Sequence, residues 1–251
     1  MELLELADAH AVAAAAAERL LQARQAQPHR PLGLATGRTM VPVYAALRHQ
    51  LGRLGSQQRR RIRADWMGFN LDEYVGLAPH DPRSFRAFMA TQLQGPLGLR
   101  PEQVLLPDGL ASDPQAEARR YAASLAAAGG VGLQLLGLGL NGHVGFNEPP
   151  CGAEVPSRCL TLSASTRTQN ASAFGGNPEA VPAEAITLGL ADILAAERIL
   201  LVVIGAAKAT ILKRALQESP CPEVPASWLQ LHPRLEVVAD RAALGQFLQG
   251  R

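Results

Sequence analysis

The sequence predicts one α/β domain over residues 1–251, built on a mainly parallel sheet flanked by helices on both faces. Three observations predict it. Short apolar runs recur, and residues 199–204 (Ile-Leu-Leu-Val-Val-Ile) and 131–136 read as buried strands. Most such runs pass through a glycine- or proline-containing turn into a longer segment rich in helix formers, the alternation that lays strands side by side in parallel. No low-complexity linker or internal repeat divides the chain, and its 47% hydrophobic content is ample for one core.

Taken in order, residues 2–25 are alanine- and leucine-rich and predict a helix, ended by Pro28. Residues 31–35 form a first strand, residues 36–39 a turn and residues 40–51 a helix. Residues 65–70 form a second strand that delivers Asp72, Glu73 and Tyr74 at its C-terminal end. A helix follows over residues 82–93, a short strand over 104–106, and a helix from the Asp113-Pro114 cap to 128. Beyond the strand at 131–136 lie an extended segment at 158–162, a helix at 165–174 and a strand at 185–188. The apolar strand at 199–204 leads through Gly205 into a helix at 206–217. A proline-rich loop, a helical turn at 227–231, a strand at 235–239 and a helix at 241–248 complete the chain. The expected sheet is Rossmann-like.

Bulk composition narrows the function. A formal net charge of +2 gives no electrostatic footprint for nucleic acid. The basic run Arg59, Arg60, Arg61 and Arg63 reads as a solvated face rather than a phosphate patch. No apolar run approaches the ~20 residues that a membrane helix needs, and the N-terminus has no basic region of the kind that opens a signal peptide. Cys151, Cys159 and Cys221 are scattered, which points to reduced thiols and a cytoplasmic compartment and away from a structural zinc. No metal-ligand spacing stands out. His10, His29, His49 and His80 have no partners nearby and read as surface residues.

Residues 137–149 (Gly-Leu-Gly-Leu-Asn-Gly-His-Val-Gly-Phe-Asn-Glu-Pro) carry the chemistry. A strand running into glycines brings backbone close to a ligand. His143 and Glu148 on that turn are plausible acid/base groups; a glycine-rich loop around a structural histidine is the alternative. Thr36, Gly37, Arg38 and Thr39 stand between a strand and a helix, where free N–H groups and the helix dipole meet an anion, or where Thr39 simply caps an ordinary connection. Arginine outnumbers lysine 22 to 2, and one of the two lysines, Lys208, opens a helix, where a cation opposes the dipole unless an anion compensates it. Residues 35–39, 72–74, 141–148 and 205–208 all fall at predicted strand C-termini, where ligands of parallel sheets sit.

With these residues assembled, the chain resembles the glucosamine-6-phosphate deaminase (isomerase) family over nearly its full length. The carriers are Leu34-Ala35-Thr36-Gly37, residues 69–77 with their Asp-Glu-Tyr, residues 137–149, Ser165-Thr166-Arg167 with Asn170, Gly205 with Lys208, and residues 229–233. The resemblance implies conversion of glucosamine 6-phosphate and water to fructose 6-phosphate and ammonia, with no metal or organic cofactor. It implies Asp72, Asn141, His143 and Glu148 as the catalytic set, with His143 opening the sugar ring, Asp72 moving the C2 proton and Glu148 pairing with His143. Thr36, Gly37, Arg38, Thr39 and Lys208 would bind the phosphate. The partner is a small amino sugar phosphate; homo-oligomerisation stays open.

Three departures qualify the resemblance. Asn141 stands where many relatives carry Asp, so His143 should titrate lower than in them. Arg38-Thr39-Met40 replaces the usual Gly or Ser followed by Thr-Pro, while Ser172 replaces a phosphate-binding arginine whose charge Arg38 would supply. Of the basic residues of an allosteric N-acetylglucosamine-6-phosphate site only Arg158 is evident, with Leu160 where a lysine would be, so no such allostery is expected. A galactosamine-6-phosphate deaminase, a 6-phosphogluconolactonase and a non-catalytic sugar-phosphate sensor remain as alternatives.

Overall fold

Residues 1–247 are described by a computed structural model. The chain opens with β1 (Glu2–Leu6), not with the expected helix. Its Leu3, Leu4 and Leu6 pair in parallel with the last strand of the chain, Leu6 opposite Asp240. An open sheet edge offers these residues a ladder of hydrogen bonds, and that outweighs their helix propensity. α1 (Ala9–Ala26) therefore starts after Asp8, whose carboxylate accepts from the Ala11 N–H at 2.9 Å.

β2 (Leu32–Leu34) and α2 (Met40–Gly52) match the sequence reading, and α2 buries Val43, Tyr44, Leu47 and Leu51 along one stripe. The arginine run forms a helix of its own, α3 (Ser56–Ala64), with Ile62 as its single buried residue. Arg59 and Arg63 donate to the Gly52 and Leu97 carbonyls, while Arg60 and Arg61 face solvent. β3 (Gly68–Asn70) is shorter than expected, and the residues after it are not a loop end but a further strand, β4 (Asp72–Tyr74). The helix expected from residue 82 starts instead at α4 (Phe85–Met89), capped by Ser84 at 3.0 Å from the Ala87 N–H. It passes through a π-helical turn (Ala90–Gln94) into the brief α5 (Gly95–Leu97).

β5 (Val104–Leu105) and α6 (Pro114–Ala127) follow, the latter capped by Asp113 as read. β6 (Leu133–Gly137) is buried along most of its length. β7 (Arg158–Thr161) leads to α7 (Ala164–Asn170), which tightens into a 3-10 turn at Ala171–Phe174. β8 (Glu184–Thr187) precedes α8 (Leu190–Leu194), a helix too short to leave a periodic signal. β9 (Ile199–Val203) runs into a 3-10 turn (Ala206–Lys208) and α9 (Ala209–Gln217), so Lys208 sits at their junction. β10 (Leu235–Asp240) is the last strand. The helix expected at 241–248 is absent over 241–247, which form turns, and Leu248 lies outside the described residues. A segment that short, with Gly245 within it, lacks the length to propagate a helix.

The strands of the main sheet are all parallel, in the order β1-β10-β9-β6-β2-β3-β5. From β2 the chain builds outward through β3 to β5. From β6 it builds the other way through β9 and β10. The sheet thus reverses its winding between β6 and β2, and a crevice opens at such a switch point. β4, β8 and β7 form a separate antiparallel sheet with its own apolar cluster of Tyr74, Phe146, Leu162, Phe174, Val181 and Ala185. Leu71 bridges the two sheets through its backbone. The Leu71 N–H donates to the Leu34 carbonyl at 3.0 Å, and its own carbonyl accepts from the Leu188 N–H at 2.8 Å.

Candidate active site

A cavity of about 240 Å³ opens at the switch point, lined by Thr36, Gly37, Arg38, Thr39, Asp72, His143 and Lys208. Seven of the nine site residues read from the sequence therefore meet in one place. Asn141 touches the cavity through His143, and Glu148 stands behind it.

The cationic part of the cavity begins at the turn after β2. Gly37 takes a φ of +106°, a conformation that side-chain-bearing residues rarely adopt. The turn closes with the Met40 N–H donating to the Gly37 carbonyl at 2.9 Å. Thr39 does not cap α2, so the first N–H groups of that helix lack a side-chain acceptor. Tyr44 fixes the turn from below, its hydroxyl donating to the Ala35 carbonyl at 2.7 Å. Lys208 lines the same cavity. Its burial, and then the nearby Arg38 charge, bring its ammonium down to about 8. No carboxylate among the described residues pairs with either cation. Two adjacent cations beside uncapped helical N–H groups make a site that a dianion would neutralise.

Asp72 lines the same cavity. Its side chain is buried, and Oδ1 has no hydrogen-bond partner among the described residues. Burial, reinforced by the Glu73 charge, holds this carboxyl well above the usual carboxylate range. Strand alternation turns the neighbouring Glu73 the other way. There it accepts from the Tyr74, Phe85 and Arg86 N–H groups at 2.9, 2.9 and 2.8 Å, pinning the start of α4. The two adjacent carboxylates thus divide into one that faces the cavity and one that holds the wall.

The loop after β6 supplies the imidazole. The backbone N–H of His143 donates to Asn141 Oδ1 at 3.2 Å, and the same oxygen lies 2.6 Å from Nδ1. An acceptor oxygen at that place fixes the proton on Nδ1 and leaves Nε2 with a free lone pair. Gly139 gives the ring its room, since a Cβ there would reach 2.5 Å from Cδ2 and closer still to Cε1 and Nδ1. Burial pushes His143 down to about 4; the Glu148 carboxylate opposes the shift and the Lys208 charge adds to it. The imidazole is therefore neutral near pH 7.

Glu148 departs from expectation. It does not hydrogen-bond His143. Its carboxylate accepts from the Ser163 N–H at 2.9 Å, from Ser163 Oγ at 2.6 Å and from Thr166 Oγ1. It reaches the imidazole as a charge through space, while its hydrogen bonds go to residues at the start of α7. Sequence reading also missed Phe85 and Gln169, which line the cavity with Asn170. Phe85 stacks on Phe146 at 5.8 Å and is signalled only by the Ser84 cap before it.

Among the described residues no group of three or more His, Cys, Asp or Glu side chains is arranged to hold a metal ion. No helix of the described residues is long and apolar enough to cross a membrane.

A parallel sheet whose switch point carries a neutral imidazole, a buried carboxylate and a pair of free cations defines an enzyme that moves protons on a small phosphorylated substrate. The chain belongs to the family described as glucosamine-6-phosphate isomerases/6-phosphogluconolactonase, whose family model matches residues 5–238. It is 39% identical over 244 residues to a glucosamine-6-phosphate deaminase of Geobacillus sp. (strain WCH70), covering 97% of this chain and 95% of that one. It is 43% identical over 236 residues to one of Hahella chejuensis (strain KCTC 2396), covering 93% and 87%. The solved structure of a monomeric glucosamine-6-phosphate deaminase superposes with a TM-score of 0.91 at 33% identity, covering 98% of this chain and all (100%) of that one. A 6-phosphogluconolactonase from Trypanosoma cruzi shares the fold, with a TM-score of 0.75 at 17% identity over 98% and 97% of the two chains.

Proposed function

We propose that the chain is an amino-sugar-phosphate deaminase converting glucosamine 6-phosphate and water to fructose 6-phosphate and ammonia. One observation carries the reading. Asp72, whose Oδ1 has no hydrogen-bond partner, and the His143 imidazole line a single cavity together with Arg38 and Lys208.

The phosphate binds between Arg38, Lys208 and the N–H groups of residues 37–39, which fixes the sugar's direction in the cavity. His143 takes the O1 proton on Nε2 and returns a proton to O5, opening the ring. Asn141 holds the tautomer that makes this possible. Asp72 then removes the C2 proton as O1 takes a proton from the C2 ammonium, giving an enolamine; Asp72 returns its proton to C1 and the nitrogen lone pair closes the C2=N bond. The product is the imine of fructose 6-phosphate. Water adds at C2 and ammonia leaves. A buried carboxylate with a raised affinity for protons suits abstraction from carbon better than an exposed one does.

Lactone hydrolysis would employ His143 as the base for water but leaves the orphaned Asp72 oxygen without a task, so the deaminase reading is preferred. The C4 preference between glucosamine and galactosamine 6-phosphate is decided by assay. Ammonia release is measured with both amino sugars, beside acid release from 6-phosphogluconolactone. Ammonia from glucosamine 6-phosphate supports the reading; acid release without ammonia refutes it. The three free cysteines fit a reducing, cytoplasmic compartment.

A further inference from the structure

The arginine run of α3 is only in part a solvated face. Arg59 and Arg63 are half-buried and, with the half-buried Arg48 of α2, line a cavity of about 110 Å³. Leu51 and Pro96 add apolar walls. This cavity shares no lining residue with the catalytic one. α2 spans Met40–Gly52, about 20 Å of helix from end to end, with residues 36–39 before its first turn and the arginine cavity at its last.

Each guanidinium is fixed by a backbone carbonyl. Arg48 Nη1 donates to the Gln92 carbonyl at 2.5 Å, Arg59 Nη1 to the Gly52 carbonyl at 2.9 Å, and Arg63 Nε to the Leu97 carbonyl. Gly98 leaves room for Arg63, since a Cβ there would stand 3.0 Å from Nη2. Gly52 and Leu97 end α2 and α5, so the carbonyls that would repel an anion are already covered. Such capping uses one N–H of the five that each guanidinium carries. It does not explain why three cations surround one small space. Among the described residues no carboxylate lines that space or pairs with any of the three. Asp65, at the end of α3, pairs with Arg61 instead, at 3.9 Å.

We propose that Arg48, Arg59 and Arg63 form a second anion site, which takes a tetrahedral oxyanion of the phosphate class, free or as the head of a phosphomonoester. Three like charges around one cavity repel each other, and a dianion among them turns that repulsion into attraction. The planar guanidinium fork matches the oxygen edges of phosphate, and the donors not used on carbonyls serve it. The three side chains are tethered before the anion arrives, so little rotamer freedom is lost on binding. The cavity has less than half the volume of the catalytic one, about 110 against 240 Å³, so it encloses the oxyanion and leaves any group esterified to it outside. The assignment does not depend on the deaminase reading.

Inorganic phosphate is titrated by calorimetry, at ionic strength held constant with chloride, into wild type, Arg48→Gln, Arg59→Gln, Arg63→Gln and Arg38→Ala. Glutamine keeps a donor for the backbone carbonyl and removes the charge. Each glutamine variant should weaken one phosphate site by about tenfold or more, and Arg38→Ala should leave that site intact. Arg59→Lys, which keeps the charge without the fork, should recover part of the loss. Glycerol 3-phosphate, titrated beside inorganic phosphate, tells an esterified ligand from a free one. Phosphate binding that no glutamine variant alters overturns the proposal. So does a site that fills only near about 0.1 M, where general screening accounts for it. If the variants fold poorly, wild-type crystals soaked in tungstate decide the question: a tungsten peak among the three guanidiniums supports the site, and an empty cavity refutes it. Absence of ammonia release by wild type would defeat the activity reading and leave this site standing.

Discussion

Replacing Gly139 by alanine tests the placement of the base more directly than deleting the base itself. Gly139 does not require a left-handed backbone, so alanine brings no conformational strain of its own. Its Cβ would stand 2.5 Å from His143 Cδ2, and the three nearest atoms it meets all belong to that ring. Ordinary contact begins near 3.4 Å, so the imidazole must withdraw by about 1 Å. That movement stretches the 2.6 Å contact with Asn141 Oδ1 past hydrogen-bonding range and releases the tautomer it fixes. A displacement of this size costs on the order of 10²-fold in kcat, or about 2.7 kcal/mol of barrier. The Michaelis constant should hold, because Arg38 and Lys208, the proposed phosphate ligands, are not among the nearest atoms that the new Cβ would meet. Steady-state ammonia release gives both constants, and a thermal melt shows whether the fold is intact. A folded Gly139→Ala enzyme with kcat within about threefold of wild type would refute the reasoning.

Further outcomes follow from the same geometry. Asp72→Asn should lower kcat by about 10³-fold and abolish exchange of the substrate C2 proton with deuterated water, followed by NMR. Arg38→Ala should raise the Michaelis constant about tenfold, roughly 1.4 kcal/mol, with little change in kcat; an unchanged constant would remove Arg38 from the phosphate site. Asn141→Asp should raise the His143 titration midpoint, since a carboxylate beside Nδ1 stabilises imidazolium, and an NMR titration equal to wild type would contradict the role given to Asn141. Folding draws His143 from 6.5 down to about 4, so between these values the unfolded chain binds the extra proton. Stability is present above pH 6.5 and is lost as pH falls toward 4. Urea titrations of His143→Gln should show a flatter loss across that window than wild type.

The main sheet was legible because its strands are buried on both faces and so read as apolar runs; β9 is the clearest case. What escaped reading depended on partners distant in sequence. β1 is a strand because β10 lies beside it, and nothing within residues 2–6 announces that. β4 exists because β8 pairs with it more than a hundred residues later, Asp72 opposite Thr187. In the site, charge and glycine spacing marked His143, Asp72 and the proposed phosphate ligands. The partner of Glu148 could not be read, since choosing between His143 and α7 requires knowing where α7 lies. Phe85 and Gln169 are ordinary residues in sequence and acquire their place only when the cavity closes around them.

Leu71 is the sole residue between β3 and β4, and its two backbone groups tie one sheet to the other. The proposed proton acceptor for carbon therefore rides on the lesser body of the molecule, while the imidazole and the cations ride on the greater. The lesser body rests on a handful of aromatic and aliphatic side chains, so warming should loosen it before the parallel strands give way. Catalysis would then fade at temperatures where the bulk of the chain still looks native.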